Sequence, residues 1–252
     1  MAADDLLIGL AGLGAGIANG IAGGGSLIAF PTLIGVGYAA LQANVTTTVG
    51  IWCGYLGGIA GFRRELADQQ PRVRAIAPVA MGGGLAGALL LLVTPEDLFQ
   101  SLAPILILAA CALFAAQPLL AQRAKRHPHP GAPSTRPLPR AALIGTLLAA
   151  VYGGYFGAGM GVILLAVLGL TLDDTLARIN GLRGVLSLLV NSIAVVIFAV
   201  SGHVAWGAAG ILAVTSLVGG YTGARLSLRL RPPVLRAVVI AFGLVAAIKL
   251  LV

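Results

Sequence analysis

Four polar residues interrupt an otherwise apolar run near the chain's C-terminal third. Asn180, Arg183, Ser187 and Asn191 are spaced i, i+3, i+7 and i+11, so a helix carries them on one face. Arg183 sits about one turn inside that run and is followed by apolar residues. A charge within a bilayer costs a few kcal/mol or more and usually faces a site or a partner. A guanidinium flanked by two amides and a hydroxyl is equipped to hold an anion. Arg183 could instead snorkel to the surface or cap helix carbonyls. In the first half of the chain, Asn44, Thr47 and Thr48 form a similar stripe at i, i+3 and i+4. Ordinary hydrogen bonding between helices would also account for that stripe.

Each stripe follows a glycine-rich stretch that breaks a long apolar segment. The first is Ala22-Gly23-Gly24-Gly25-Ser26 and the second is Ala158-Gly159-Met160-Gly161. A half-helix starting at such a break has amide hydrogens without intrahelical partners at the positive end of its dipole. Glycine lets an anion approach that backbone closely. Gly24, Gly25 and Ser26 offer such amides in the first half, with the Ser26 hydroxyl as a cap or ligand. Gly159, Met160 and Gly161 offer them in the second. Close helix packing is the other role glycines play in membranes.

These stretches lie 136 residues apart, and the offset recurs: Leu7-Ile8-Gly9 falls on Leu143-Ile144-Gly145, Asn44 on Asn180, and Gly83, Gly84 and Gly87 on Gly219, Gly220 and Gly223. Two related halves with paired breaks are the pattern of a transporter whose site lies where the breaks meet.

The composition sets the class. Of 252 residues, 58% are hydrophobic and 10% charged, and mean hydropathy is +0.99. The chain reads as an integral membrane protein built of helices, with room for about seven or eight spans of about 20 residues. The net charge of +8 comes from bases in short loops, which points to membrane topology rather than nucleic acid. Met1-Ala2-Ala3-Asp4-Asp5 lacks a basic region, so the first apolar run is expected to be retained. Cys53 and Cys111 lie in apolar runs as packing residues. No metal ligand set, cofactor motif or cluster of catalytic groups occurs in the spans, and no metal, cofactor or enzymatic activity is expected.

In order, a broken segment over 6–36 precedes spans at 44–62, 75–93 and 98–121. A basic, proline-rich linker over 122–140 contains His127 and His129, read as solvated. The second half follows with a broken segment over 141–170 and spans at 179–200, 205–227 and 234–252. The expected organisation is a first membrane repeat over 1–121, a cytoplasmic linker over 122–140 and a second repeat over 141–252. In fold class this is an all-α membrane protein of two inverted repeats, each a broken or re-entrant hairpin followed by three transmembrane helices.

The sixteen lysines and arginines discriminate between two topologies. If every apolar segment crosses once, ten lie inside with the linker and five, including Arg178 and Arg225, lie outside. If each broken segment returns to its own side, the second half inverts. Fourteen then lie inside, Lys249 alone outside, and Arg183 in the membrane. The positive-inside rule favours the second arrangement, with both termini outside. Non-helical backbone at mid-depth then requires a cavity between the halves.

No carboxylate lies deep in a span: Glu65, Asp68, Glu96, Asp97, Asp173 and Asp174 are all at ends or in loops. One fixed positive charge with helix N-termini favours an anionic substrate over a cation.

At these residues the chain resembles the TauE/SafE sulfite-exporter-like permeases. The resemblance is carried by Gly23-Gly24-Gly25-Ser26 with Pro31, by Ala43-Asn44 through Gly57-Gly58, by Phe62-Arg63-Arg64-Glu65-Leu66, by Gly157 to Gly161, and by Val190-Asn191-Ser192. Family members usually have three glycines at the second break and an Ala-x-Gly-Thr-type sequence after the next loop, where this chain has Ile179-Asn180-Gly181-Leu182. The resemblance implies transport, usually export, of small sulfur-containing anions such as sulfite or organosulfonates across the bacterial inner membrane. The partners implied are a small anion and the lipid bilayer. A passive anion channel with the same site, or a membrane assembly scaffold, are the other classes compatible with the residues.

Overall fold

The computed structural model describes residues 2–21, 23–124, 138–227 and 233–251. Most of the expected linker, His127 and His129 included, lies outside the described residues. The described chain forms ten helices and no strand. They are α1 (Ala2–Ile21), α2 (Ser26–Val36), α3 (Ala40–Gly61), α4 (Gln70–Val93), α5 (Glu96–Ala124), α6 (Arg140–Tyr155), α7 (Met160–Thr171), α8 (Leu176–Ala199), α9 (Trp206–Ser227) and α10 (Pro233–Leu251). Five described helices are long and apolar enough to cross a membrane: α1, α4, α5, α8 and α9. Large apolar side chains on their outer faces, such as Leu10, Val93, Ile105, Val196 and Val214, are exposed and suit lipid contact.

Local sequence explains the boundaries. After α1, Gly23 adopts φ +82°, a left-handed conformation that favours glycine. Gly159 does the same at φ +84° as the cap that starts α7. Both breaks turn the chain back on itself. Ile28 of α2 lies against Gly14 of α1, and Val167 of α7 lies against Gly145 of α6. The arms are unequal, against the expectation of two half-helices. α1 has 20 residues, about 30 Å, while α2 has only 11. α6 and α7 have 16 and 12. The first arm stays long because its glycines sit at helical spacing on one packed face and keep helical geometry, and only Gly23 leaves it.

Under the 136-residue offset α1 corresponds to α6, α2 to α7, α3 to α8, α4 to α9 and α5 to α10. Packing respects that correspondence. α1 and α3 lie on α9, as α6 and α8 lie on α4; α2 lies on α10, as α7 lies on α5; and α3 meets α8 as α5 meets α10. Each half therefore embraces the other rather than folding apart.

Small residues make this interlock possible. Gly16 and Gly20 of α1 lie against the backbone of Gly219, Gly220 and Gly223 in α9, and Gly87 of α4 lies against Val151 and Tyr155 of α6. Lipid offers no hydrophobic drive between helices, so such close backbone approach supplies the packing. Residue order along the contacts gives the directions. Gly12, Gly16 and Gly20 meet Leu212, Gly220 and Ala224, so α1 and α9 run parallel. On α3 and α8 the order reverses: Trp52 bonds Ser192, Ile59 faces Gly184, and Phe62 faces Gly181. The two corresponding helices therefore run antiparallel.

Candidate functional site

The two breaks meet. A Cβ on Gly161 would come within 2.6 Å of the Gly23 Cα and 2.9 Å of the Gly23 carbonyl oxygen. Only glycine on both sides permits this approach. Arg183 reaches the junction from α8, its Nη1 beside both glycines, and its Nη2 donates to the Asn19 backbone oxygen at 2.8 Å. That oxygen is one of the carbonyls left open where α1 ends. Arg183 is 3% exposed, and among the described residues no carboxylate pairs with it. The guanidinium therefore points into the protein rather than to the surface.

The sequence pattern does not single out Asn19, yet it organises the first break. Its Oδ1 accepts from the Gly25 amide at 2.8 Å, which occupies one of the backbone donors expected to face a ligand. Tyr55 of α3 lies between Asn19 and Asn191, beside Arg183. Two signals pointed to these residues. Asn19 is a lone amide in an apolar run four residues before Gly23, and Tyr55 occupies the position that the offset pairs with Asn191.

The second break is tied differently. Asn44 Nδ2 donates to the Tyr155 carbonyl at 3.0 Å, the Tyr152 hydroxyl donates to the Ala158 carbonyl at 2.7 Å, and the Thr48 hydroxyl donates to the Asn44 carbonyl at 3.0 Å. Ser26 and Thr48 hydroxyls both face Gly157. Phe156 stacks edge-on against Phe30, with ring centroids 5.5 Å apart.

The remaining expected residues divide. Gly24 packs under the Phe114 ring and Gly159 against Ala110, both on α5. Met160 is fully buried with its sulfur against Gly153, and its amide bonds the Gly157 carbonyl. Asn180, Ser187 and Asn191 are buried on the inward face of α8 with Arg183, and Asn191 Nδ2 donates to the Ser187 carbonyl at 2.8 Å. Thr47 is buried, and its hydroxyl has no hydrogen-bond partner among the described residues.

A cavity opens beside the junction, lined by Asn19, Tyr55, Phe62, Asn180, Arg183 and the glycines Gly20, Gly54, Gly58 and Gly184. It has ≈ 10 Å³ of space for water, enough for about one molecule. Asn19 Nδ2, Arg183 Nε and Asn180 Oδ1 are buried here without hydrogen-bond partners among the described residues. Buried polar atoms normally find partners, so three in one place call for an explanation.

Beyond Phe62 and Leu66, which cover Gly181, an ionic cluster joins the two halves. Arg72 pairs with Asp174, a carboxylate only 2% exposed. Arg178 bonds Asp174 through Nε at 2.7 Å and grips Asp68 with two parallel bonds of 2.7 and 3.0 Å. Gln69 donates to the Arg178 carbonyl at 2.9 Å. The Arg178 guanidinium holds the Asp68 carboxyl below its usual range. Arg72 and Arg178 thus share one acid at one end of the molecule. A topology in which every apolar segment crosses once would put them on opposite sides of the membrane.

Comparison with known proteins adds the family context. The model of the family described as Sulfite exporter TauE/SafE matches residues 8–250. Over 238 residues the chain is 25% identical to the probable membrane transporter protein YfcA of Escherichia coli K12, covering 94% of this chain and 86% of that one. It is 24% identical over 239 residues to a probable membrane transporter protein of Haemophilus influenzae, covering 95% and 91%. With the probable membrane transporter protein ORF9 of Sinorhizobium sp it shares 26% identity over 246 residues, covering 94% and 88%. No solved structure matches the chain.

Proposed function

Because the chain belongs to the sulfite exporter TauE/SafE family of multi-pass bacterial membrane transporters, we propose that it carries small sulfur-containing anions, such as sulfite or organosulfonates, outward across the inner membrane. The anion rests where the two glycine breaks meet. The observation that carries this reading is the Arg183 guanidinium, buried at the Gly23–Gly161 junction with no carboxylate beside it among the described residues. In that setting its charge is available to a ligand anion, and a charge-assisted hydrogen bond there is worth about 1.5–3 kcal/mol.

The architecture we propose is a pair of inverted repeats with re-entrant hairpins, working by alternating access. Support comes from the antiparallel course of α3 and α8, the returning arms α2 and α7, and the ionic cluster that brings Arg72 and Arg178 to one end. In this reading that end faces the cytoplasm, which the distribution of arginines favours.

Flux of sulfite and methanesulfonate from proteoliposomes tests the function. Saturable flux that responds to an imposed proton or sodium gradient supports a secondary transporter. Flux indifferent to any gradient identifies an anion channel, and no flux of either anion contradicts the substrate class. Cysteine labelling at position 3 from the periplasmic side tests the orientation, and protection of that position contradicts it.

A further inference from the structure

The 136-residue offset pairs Asn44 with Asn180, Thr47 with Arg183, Asn191 with Tyr55, and Tyr155 with Asn19. The protein therefore has two related loci, and they are completed differently. In one, Asn44 donates to the Tyr155 carbonyl. In the other, the corresponding Asn19 carbonyl is taken by Arg183 instead of Asn180. Among the described residues this leaves Asn180 Oδ1, Asn19 Nδ2 and Arg183 Nε buried without hydrogen-bond partners. Amide orientation is assigned by hydrogen bonding, so with no partner fixing it Asn180 can present its NH₂ to the same space. All three line the same cavity.

We infer that this single charged locus selects monoanions: one oxyanion group, a sulfonate or the singly protonated hydrogensulfite form of sulfite, is held by Arg183, Asn19 and Asn180, and dianions such as sulfate are rejected. The inference rests on the anion-transport reading above and names the charge class that the same site takes. Its basis is charge matching. Among the described residues Arg183 is the only cation lining the cavity, and the other lining groups are neutral amides, Tyr55, Phe62 and glycines. A monoanion leaves the buried site neutral. A dianion leaves one uncompensated negative charge away from water, a state that protein interiors and membranes disfavour strongly. The cavity is smaller than any oxyanion, so entry requires α3 and α8 to part. Gly54, Gly58 and Gly184 line that seam with no side chains to obstruct it.

The test measures equilibrium binding of methanesulfonate and sulfate to the purified full chain in detergent, at matched ionic strength. The expected result is saturable methanesulfonate binding, with sulfate weaker by roughly a hundredfold or more. Asn19→Asp keeps the acceptor for the Gly25 amide but replaces the free donor with a charge, and it should abolish methanesulfonate binding. Asn180→Ala does not touch the Gly25 contact and should weaken binding by roughly tenfold. Both variants are compared at equal thermal stability. Sulfate binding as tightly as methanesulfonate overturns the monoanion inference while leaving the anion site in place. Unchanged binding in Asn180→Ala overturns the assignment to this locus. Should neither anion bind the folded wild type, the transport reading itself falls, and the inference with it.

Discussion

The two glycine breaks share a plan but not an electrostatic character. At the second, Asn44 and Tyr152 close the carbonyls of Tyr155 and Ala158 with neutral hydrogen bonds. At the first, a guanidinium takes the equivalent carbonyl, and three polar atoms have no hydrogen-bond partner among the described residues. The same contrast runs to the ends of the molecule. Asp68, Arg72, Asp174 and Arg178 form the ionic cluster, whereas the offset places Val204, Ala208, Tyr38 and Gln42 at the corresponding positions. Both charged features therefore belong to one side. Repetition supplies the scaffold, and both charged features lie where the two halves depart from the repeat.

The largest expected effect comes from forcing the breaks apart. Gly161→Leu places a side chain into Gly23 and should abolish transport, read as flux per inserted protein. Gly25→Leu should do the same, since its Cβ would meet the Asn19 amide carbon at 2.7 Å. As a control, Gly35→Leu, whose Cβ would meet nothing within 4 Å among the described residues, should transport normally. Normal flux in both break variants would mean that the junction is only packing.

Next is the ionic cluster. Arg72→Met leaves Asp174 buried with only Arg178 to pair it, and should cost about 1.5–3 kcal/mol, visible as a lowered melting temperature in detergent. An unchanged melting temperature would show that the cluster does not hold the halves together.

Asn44→Ala sharpens the contrast between the breaks directly. It strips the Tyr155 carbonyl of its donor and should cost about 1–3 kcal/mol of stability with little change in anion affinity. A large loss of affinity with unchanged stability would give the neutral break the role assigned to the charged one.

The smallest effect concerns Asp68, whose side chain is 63% exposed. Its pKa is lowered in the folded state, chiefly by the bonds from Arg178. The contribution is therefore complete above the ordinary aspartate range and is lost as pH falls through the depressed value. Solvent screening limits it to ~0–1 kcal/mol. Asp68→Asn should flatten that acidic limb of the pH–stability curve without moving the melting temperature at neutral pH by more than this allows.

Much of this arrangement was legible in the residues. The offset gave the correspondence of helices, and the inward spans end within a few residues of their expected limits. Arg183 was recognisable because a lone charge in an apolar run has few places to go. Asn19 escaped because its meaning lies in contacts across the fold, with Arg183 164 residues away. Tyr55 escaped because tyrosine in a span has an ordinary packing role, and only the comparison with Asn191 sets it apart. Arm lengths were also hidden, since a helix rich in packed glycines and a broken helix look alike in sequence.

The central claim is that the anion is held by the charge at the first break and not by the backbone of both. Sulfite flux from proteoliposomes, compared for wild type and Arg183→Gln at equal insertion, tests it most directly. The account predicts that at subsaturating sulfite the variant falls by roughly ten- to a hundredfold, with Arg183→Lys intermediate because the charge remains and the planar fork is lost. Equal flux in wild type and Arg183→Gln, both well folded, would contradict it.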